Sequence, residues 1–578
     1  MNSYIKAMEA ALCEDSRDML QRIYEPTVVG TPLADSRRDV CVLKNGEIRS
    51  YGRLYSKSHV GPEGQIAYLS SLDCGLSWSI KYSHGRMNSS TYIEEANIYV
   101  TACDKYNNNY GIDTGLYVYR SEIGPDDPTP QRIKLRDENF IDTFLPQKSA
   151  FGNRIWFTSQ LNNDPYFFFS DDFGLTWQER RIKCPHNFEI VYPHKGNRWC
   201  KGSGCEPHVT ELSKEKMMMI IRTPMDCFYK SYSYDGGNSW SDPEESCFYG
   251  TNTTAYLLRL NDGRIITFWN NTVPLAQPNY KTTDRAGDKD VINGHGENAF
   301  TNRDAAHAAI SDDGGESFVG FREILLNSIR NNTDFRYIGG VATSYDKSVH
   351  QFQAFELPYN KILVSAGQNP ASRRLVIFDV NWLYENTRHE NFIGGMGNIT
   401  YHTYLKSLSG HHVHAVGNGH CAWNRTYSAF PVPEPHGGHG EVILLQKQHN
   451  ELLYNDIGGI CWNFPCSKKG KVTARVMINE KQARFILSDR WFNACDPNAM
   501  FRAPFWFEID KGDTSSDFCD VSVEYDTDSG RGTVTVDGEF LCYIKMSNSC
   551  KTGISYLILQ CATDGDSKGF YIQELSKE

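Results

Sequence analysis

The pattern S-x-D-x-G-x-[ST]-[WF] occurs four times, at residues 71–78, 170–177, 233–240 and 311–318. A repeat of this kind decides an architecture before any bulk property does. Each copy follows an apolar or aromatic run, as Tyr166, Phe167, Phe168 and Phe169 precede the second. Each copy therefore reads as strand, turn, strand. The Asp is expected to accept hydrogen bonds from turn amides, the Gly to supply a positive φ, and the aromatic residue to pack beneath the turn. The motif does no chemistry itself.

The intervals between copies are uneven, and the first is long enough for a further unit without a motif. The run from Gly115 to Gly124 sits near its middle and looks like a decayed copy. A strand pattern from Leu375 to Trp382 lies one interval beyond the fourth copy. Counting both gives six units, which predicts a six-bladed β-propeller over residues 28–410. Before it, Ile5, Met8, Leu12, Met19, Leu20 and Ile23 alternate with charges, so Ser3 to Tyr24 reads as one amphipathic helix in an N-terminal helical segment, residues 1–27. Nothing there resembles the apolar core of a signal peptide. After the propeller, residues 411–420 form a polar, His-rich junction. Strands of period two then recur to the C-terminus, predicting a jelly-roll or lectin-like β-sandwich over residues 411–578. The chain is expected to be all-β apart from its start.

Composition bounds the function. A chain of 578 residues is too long for one core. Its net charge of −11 argues against nucleic acid as a partner, since phosphate needs a basic surface. A few buried arginines could still make a local site for an anionic ligand. No apolar run is long enough to span a membrane. The 17 cysteines are odd in number and include no CxxC pair, and Cys41, Cys542 and Cys561 sit mid-strand in apolar company. Reduced thiols and a cytoplasmic location are expected, with secretion as the alternative. Six N-x-[ST] sequons, at Asn88, Asn252, Asn270, Asn331, Asn398 and Asn424, favour that alternative. His411, His412, His414, His420, His436 and His439 are dense but lack ligand spacing, so neither a metal nor another cofactor is expected.

The residues with chemical promise are Arg38, where the first strand begins; Arg222, at the end of a Met-rich strand; Arg373 and Arg374, at the start of another; and Glu206, one strand ahead of Arg222. A lone Arg at a strand end is usually a surface residue. Three in comparable positions of a repeated fold point inward together. Alternation allows only one of Arg373 and Arg374 to face in, and Arg373 is favoured.

On these residues the chain resembles the sialidase (neuraminidase) superfamily. The segment from Arg38 is similar to that family's first-arginine strand, the segment from Glu206 to Arg222 to its glutamate and second arginine, and Gln368 to Leu375 to its third-arginine segment. The resemblance covers residues 28–410. It implies that the repeats are Asp boxes, and that Arg38, Arg222 and Arg373 grip a sugar carboxylate. The guanidinium suits that task, being planar, two-pronged and permanently charged. It also implies a tyrosine nucleophile, because a carboxylate would be repelled by the substrate's own carboxylate. Of Tyr401 and Tyr404, Tyr401 fits the family context better, with Glu206 as its partner; Glu211 is the weaker choice. The family's acid, an Asp on a loop before the first Asp box, is missing. That loop offers Glu63, with His59 as the other titratable group, while Asp39 would face the opposite side of its strand.

The resemblance implies an exo-glycoside hydrolase that removes terminal sialic acid or a related acidic sugar with retention, its partners being sialylated or other acidic glycans. The missing loop Asp motivates a second reading, a propeller that binds acidic carbohydrate without cleaving it. A third is a lyase or transglycosylase acting on uronic-acid glycans, since arginine clusters suit any sugar carboxylate.

Overall fold

In a computed structural model of the chain, the structure describes residues 3–33, 39–52, 64–104, 114–162, 164–183, 205–223, 227–250, 253–273, 303–338, 347–369, 371–405, 424–438, 440–453, 455–479, 482–515, 517–561 and 568–578. The chain is almost entirely β. The expected N-terminal helix is two, Ser3–Ala11 and Glu14–Arg22, broken at Leu12 and Cys13. The break lets Ile5, Met8, Leu12 and Leu20 be buried while Met19 stays exposed. One straight helix would have had to carry all of them on one stripe.

Six four-stranded antiparallel sheets follow in chain order. The fourth comprises Cys205–Glu211, Met217–Arg222, Cys227–Ser233 and Glu244–Tyr249. The fifth comprises Tyr256–Arg259, Ile265–Trp269, Ala305–Ser311 and Val319–Leu326. The sixth takes Gln353–Leu357, Lys361–Ala366 and Arg374–Asp379, and its fourth strand is Thr27–Gly30 from the N-terminus.

Each sheet shares an apolar cluster with the next. Tyr51 and Tyr68 of the first pack with Tyr99 and Tyr117 of the second. Val118 of the second meets Phe157 and Phe168 of the third, and Phe167 of the third meets Met217 and Met219 of the fourth. Ile220 and Phe248 of the fourth join Leu257 and Ile265 of the fifth, and Phe268 of the fifth joins Val364 and Phe378 of the sixth. The series then returns to its start, because Leu363 and Ile377 of the sixth pack with Val40 and Ile48 of the first, and Met8 and Leu20 of the helices seal that contact.

All four motif turns join the third strand of a sheet to its fourth. In the second copy Gly174 N donates to Ser170 Oγ at 2.7 Å, Thr176 N to Asp172 Oδ1 at 2.9 Å, and Trp177 Nε1 to Gly174 O at 3.1 Å. The corresponding glycines, Gly75, Gly174, Gly237 and Gly315, all have positive φ. The decayed copy keeps part of this scheme: Gly124 N donates to Ser121 Oγ at 3.0 Å, and Ser121 Oγ donates to Asp127. At Gly237, with φ +97°, an added Cβ would meet Phe167 Cε1 at 2.3 Å. Gly237→Ala is therefore expected to cost about 2–4 kcal/mol, from overpacking and left-handed strain together, measured by denaturant unfolding.

The remaining strands form an eight-stranded sheet, a five-stranded sheet and a two-stranded ribbon, His402–Tyr404 with Arg425–Tyr427. The two sheets share one core, in which Val472, Val476 and Ile572 of the larger meet Trp462, Phe485 and Leu557 of the smaller. Two strands ahead of the expected junction belong here. Arg388–Glu390 pairs with Phe570–Lys577, and Ile399–Thr400 pairs with Gly458–Ser467. Hydrogen bonding thus hands the chain to the C-terminal sheets some twenty residues before the boundary expected at 410. Among the described residues no helix is long and apolar enough to cross a membrane.

Candidate functional site

In an antiparallel meander, the start of the first strand, the end of the second and the start of the third lie at one end. The motif turns, between third and fourth strands, lie at the other. Arg222 ends a second strand, Arg373 immediately precedes a third, Asp39 precedes the first strand of the first sheet, and Glu206 opens the first strand of the fourth. All therefore gather at the end away from the motif turns.

Glu206 is approached from four sheets. Arg222 Nη1 lies 2.6 Å from its Oε2, and Thr254 Oγ1, just ahead of the fifth sheet, donates to the same oxygen at 2.6 Å. Gln351 Nε2, just ahead of the sixth, reaches Oε1 at 3.3 Å, and the Glu206 amide donates to Gln160 Oε1 of the third at 3.1 Å. Glu206 has φ 49°, and the pairing of its strand with the next slips between Cys205 and His208. Side-chain exposure is 1% for Glu206 and 2% for Arg222.

Arg373 is fully enclosed. Its Nη2 lies 2.5 Å from Asp39 Oδ1 and donates to Ser365 Oγ at 2.7 Å. Arg374 turns away and donates to the carbonyls of Ala371 and Arg373. Asp39, expected on the outer side of its strand, is the partner of Arg373 and also accepts from Ser50 Oγ at 2.8 Å. Glu211 lies at the motif end of its strand, accepting from Ser149 Oγ and Ala150 N, and takes no part in this cluster. Arg38, Glu63 and His59 lie outside the described residues, as do His411, His412, His414, His420 and His439. Among the described residues no group of three His, Cys, Asp or Glu could hold a metal ion.

A further arginine escaped the sequence reading. Arg303 precedes the third strand of the fifth sheet, is fully buried, and its Nη1 lies 2.8 Å from His350 Nε2, whose Nδ1 is 2.7 Å from Ser348 Oγ. The signal was available: Arg303 stands eight residues before Ser311 of the fourth motif, where a third strand must begin.

Tyr401 packs with the C-terminal sheets. It forms no hydrogen bond with Glu206. Its ring stacks on Tyr427 at 5.6 Å and 6° and packs against the C-terminal core. Burial, then the neighbouring Tyr427, raise its hydroxyl above the usual tyrosine range. Tyr404 is the better enclosed, and its hydroxyl donates to Asp304 Oδ2 at 2.5 Å. Asp304 also holds Arg425 Nη1 at 3.0 Å. Burial pushes the Asp304 carboxyl up, but Arg425, His402 and Tyr404 more than offset this and hold it well below the usual range. His402 is lowered, by burial and then by Arg425.

Residues 144–365 match the family described as a BNR repeat-like domain. The matched stretch runs from the third sheet into the sixth. No curated protein matches the chain. Among solved structures, a Dyadobacter fermentans protein of unknown function is 17% identical, with 62% of this chain and 97% of that one covered, at a TM-score of 0.38. A Trypanosoma rangeli sialidase in complex with 2,3-difluorosialic acid is 11% identical, covering 94% and 91%, at 0.35. The NanB sialidase of Streptococcus pneumoniae is 11% identical, covering 64% and 73%, at 0.37. Likeness this slight fixes neither substrate nor mechanism.

Proposed function

We propose that the chain is an exo-acting glycoside hydrolase of the sialidase type, built as a six-bladed propeller followed by a lectin-like β-sandwich, and that it removes a terminal sialic acid or related acidic sugar. The division we propose places the propeller between about residue 27 and the mid-380s. The observation that carries the reading is the Glu206 carboxylate, paired with Arg222 and reached also by Thr254 and Gln351 from ahead of the fifth and sixth sheets, at the end where Arg303 and Arg373 are also enclosed. Guanidinium groups gathered at one end of a ring suit a sugar carboxylate.

The reacting tyrosine needs a carboxylate to take its proton as its oxygen attacks the anomeric carbon. Among the described residues one tyrosine near the proposed site meets that need. Tyr404 already donates to Asp304. Glu63 stays the proposed acid for the leaving oxygen. Carbohydrate binding without cleavage is the second reading. It is favoured by the fact that Arg222 and Arg373 each already hold a carboxylate of the protein.

Release of fluorophore from a 4-methylumbelliferyl sialoside tests the first reading. Phe at the reacting tyrosine should lower turnover at least a thousandfold with binding nearly intact, while Tyr401→Phe stays within a few-fold of wild type. Saturable sialic acid binding by a wild type that releases nothing would establish the binder instead.

A further inference from the structure

A cavity of 610 Å³ lies away from Glu206, between the outer strand of the fifth sheet, the N-terminal segment and the C-terminal sheets. That is the size of a small-ligand site, and junctions between units are where such sites concentrate. Its lining mixes charge of both signs with aromatic surface: Asp304, Glu323, Arg330, Arg388, Trp382 and Tyr427 all contribute.

Glu323 is wired from behind. The Asn271 amide donates to His307 Nδ1 at 3.0 Å, which leaves the ring proton on Nε2. Nε2 lies 2.5 Å from Tyr556 Oη, and that hydroxyl donates to Glu323 Oε1 at 2.6 Å. The hydrogen-bonded chain runs from the fifth sheet through a C-terminal strand and back, and it fixes the carboxyl. Among the described residues Glu323 Oε2 accepts no hydrogen bond, so one oxygen is held and the other is left to the cavity. Burial raises this carboxyl to about 7, so near neutral pH it can donate as well as accept.

A ligand that matches this lining must both donate and accept. An anion would meet Asp304 and Glu323; a cation would meet Arg330 and Arg388. Hydroxyl groups can satisfy carboxylates and guanidinium groups alike, and an apolar ring face can lie against an aromatic rim. Tyr427 is partly exposed at the rim, and with its ring stacked on Tyr401 and the Arg330 guanidinium 5.1 Å from the ring centre it offers its edge. We propose that this junction cavity binds a neutral sugar unit, with Glu323 hydrogen-bonded to one of its hydroxyls and the edge of Tyr427 at its rim. The inference does not depend on the hydrolase reading.

The test is saturation-transfer NMR and calorimetric titration of the full chain with galactose, N-acetylglucosamine and lactose, and with N-acetylneuraminic acid as the charged control. Saturable binding of a neutral sugar is expected, weakened at least tenfold by Tyr427→Ala and by Glu323→Leu and unchanged by Glu206→Gln. Arg330→Ala, at a partly exposed position, should weaken it several-fold, with the fold checked by denaturant unfolding. No saturable neutral-sugar binding would overturn the proposal. So would binding that all three cavity variants leave intact, or tighter binding of N-acetylneuraminic acid through the same residues.

Discussion

Replacing Arg222 with methionine is expected to cost about 3–5 kcal/mol of stability and to abolish sialoside release. The cost arises because the Glu206 carboxyl, in a site with 1% side-chain exposure, would lose the guanidinium 2.6 Å away and would have to stay buried as a charge or take up a proton. Thr254 and Gln351 would still donate to it, but two neutral donors do not replace a cation. The second variant makes the argument decisive. Arg222→Met combined with Glu206→Gln removes the stranded charge, and a neutral amide can still accept from Thr254. Most of the lost stability should return, because a buried pair exchanged whole is often close to neutral. Activity should not return, since the proposed grip on the substrate carboxylate is gone. Denaturant unfolding and sialoside release, measured on both variants, separate the two effects. If the double variant stays as unstable as the single one, the pair is not the source of the cost. If the single variant keeps wild-type release, Arg222 is not part of the site.

The repeating part of the fold was legible because its signal is local. Ser, Asp, Gly and the aromatic residue of each motif complete a turn from their own side chains, so the sequence carries the geometry wherever it occurs. Ser121 and Asp127 show that even a decayed copy leaves a trace. The closing strand, Thr27–Gly30, had no such mark, because its partner Arg374–Asp379 lies over three hundred residues away. The tyrosine was misplaced for a related reason. Alternation assigns faces only within one strand. Ile399–Thr400 pairs with Cys461 and Trp462, while His402–Tyr404 pairs with Arg425–Tyr427 in a separate ribbon. Tyr401 falls between them, where alternation carries no information. Arg303 was passed over because no strand pattern precedes it, although its offset from the fourth motif was the better guide.

Glu323→Gln is expected to leave stability unchanged near pH 4.5 and to raise it by about 3 kcal/mol at pH 8. The native carboxyl titrates at about 7 against an ordinary value of 4.5. The folded chain therefore binds more protons than the unfolded one between those values. The contribution of Glu323 is fully present below pH 4.5 and is lost as pH rises toward 7. His307 has the opposite sign. Burial lowers it from 6.5 to about 3, so the unfolded chain binds the extra proton and stability falls as pH drops through that window. Between pH 4.5 and 6.5 the slopes of Glu323 and His307 oppose each other and largely cancel, leaving the wild-type slope to other groups such as His402. Removing Glu323 unmasks His307, and stability should then climb steadily from pH 3 to 6.5. The groups facing Glu323 are Tyr556, Arg388, Arg322 and Cys461. None has an ordinary titration in this range, so the change in slope belongs to the two named groups. Gln keeps the shape of the side chain and can accept from Tyr556, so the relay stays closed. Denaturant unfolding at pH 4.5, 6 and 8 is the measurement. Parallel pH profiles for the two chains would mean that Glu323 is ionised with little penalty in the folded protein.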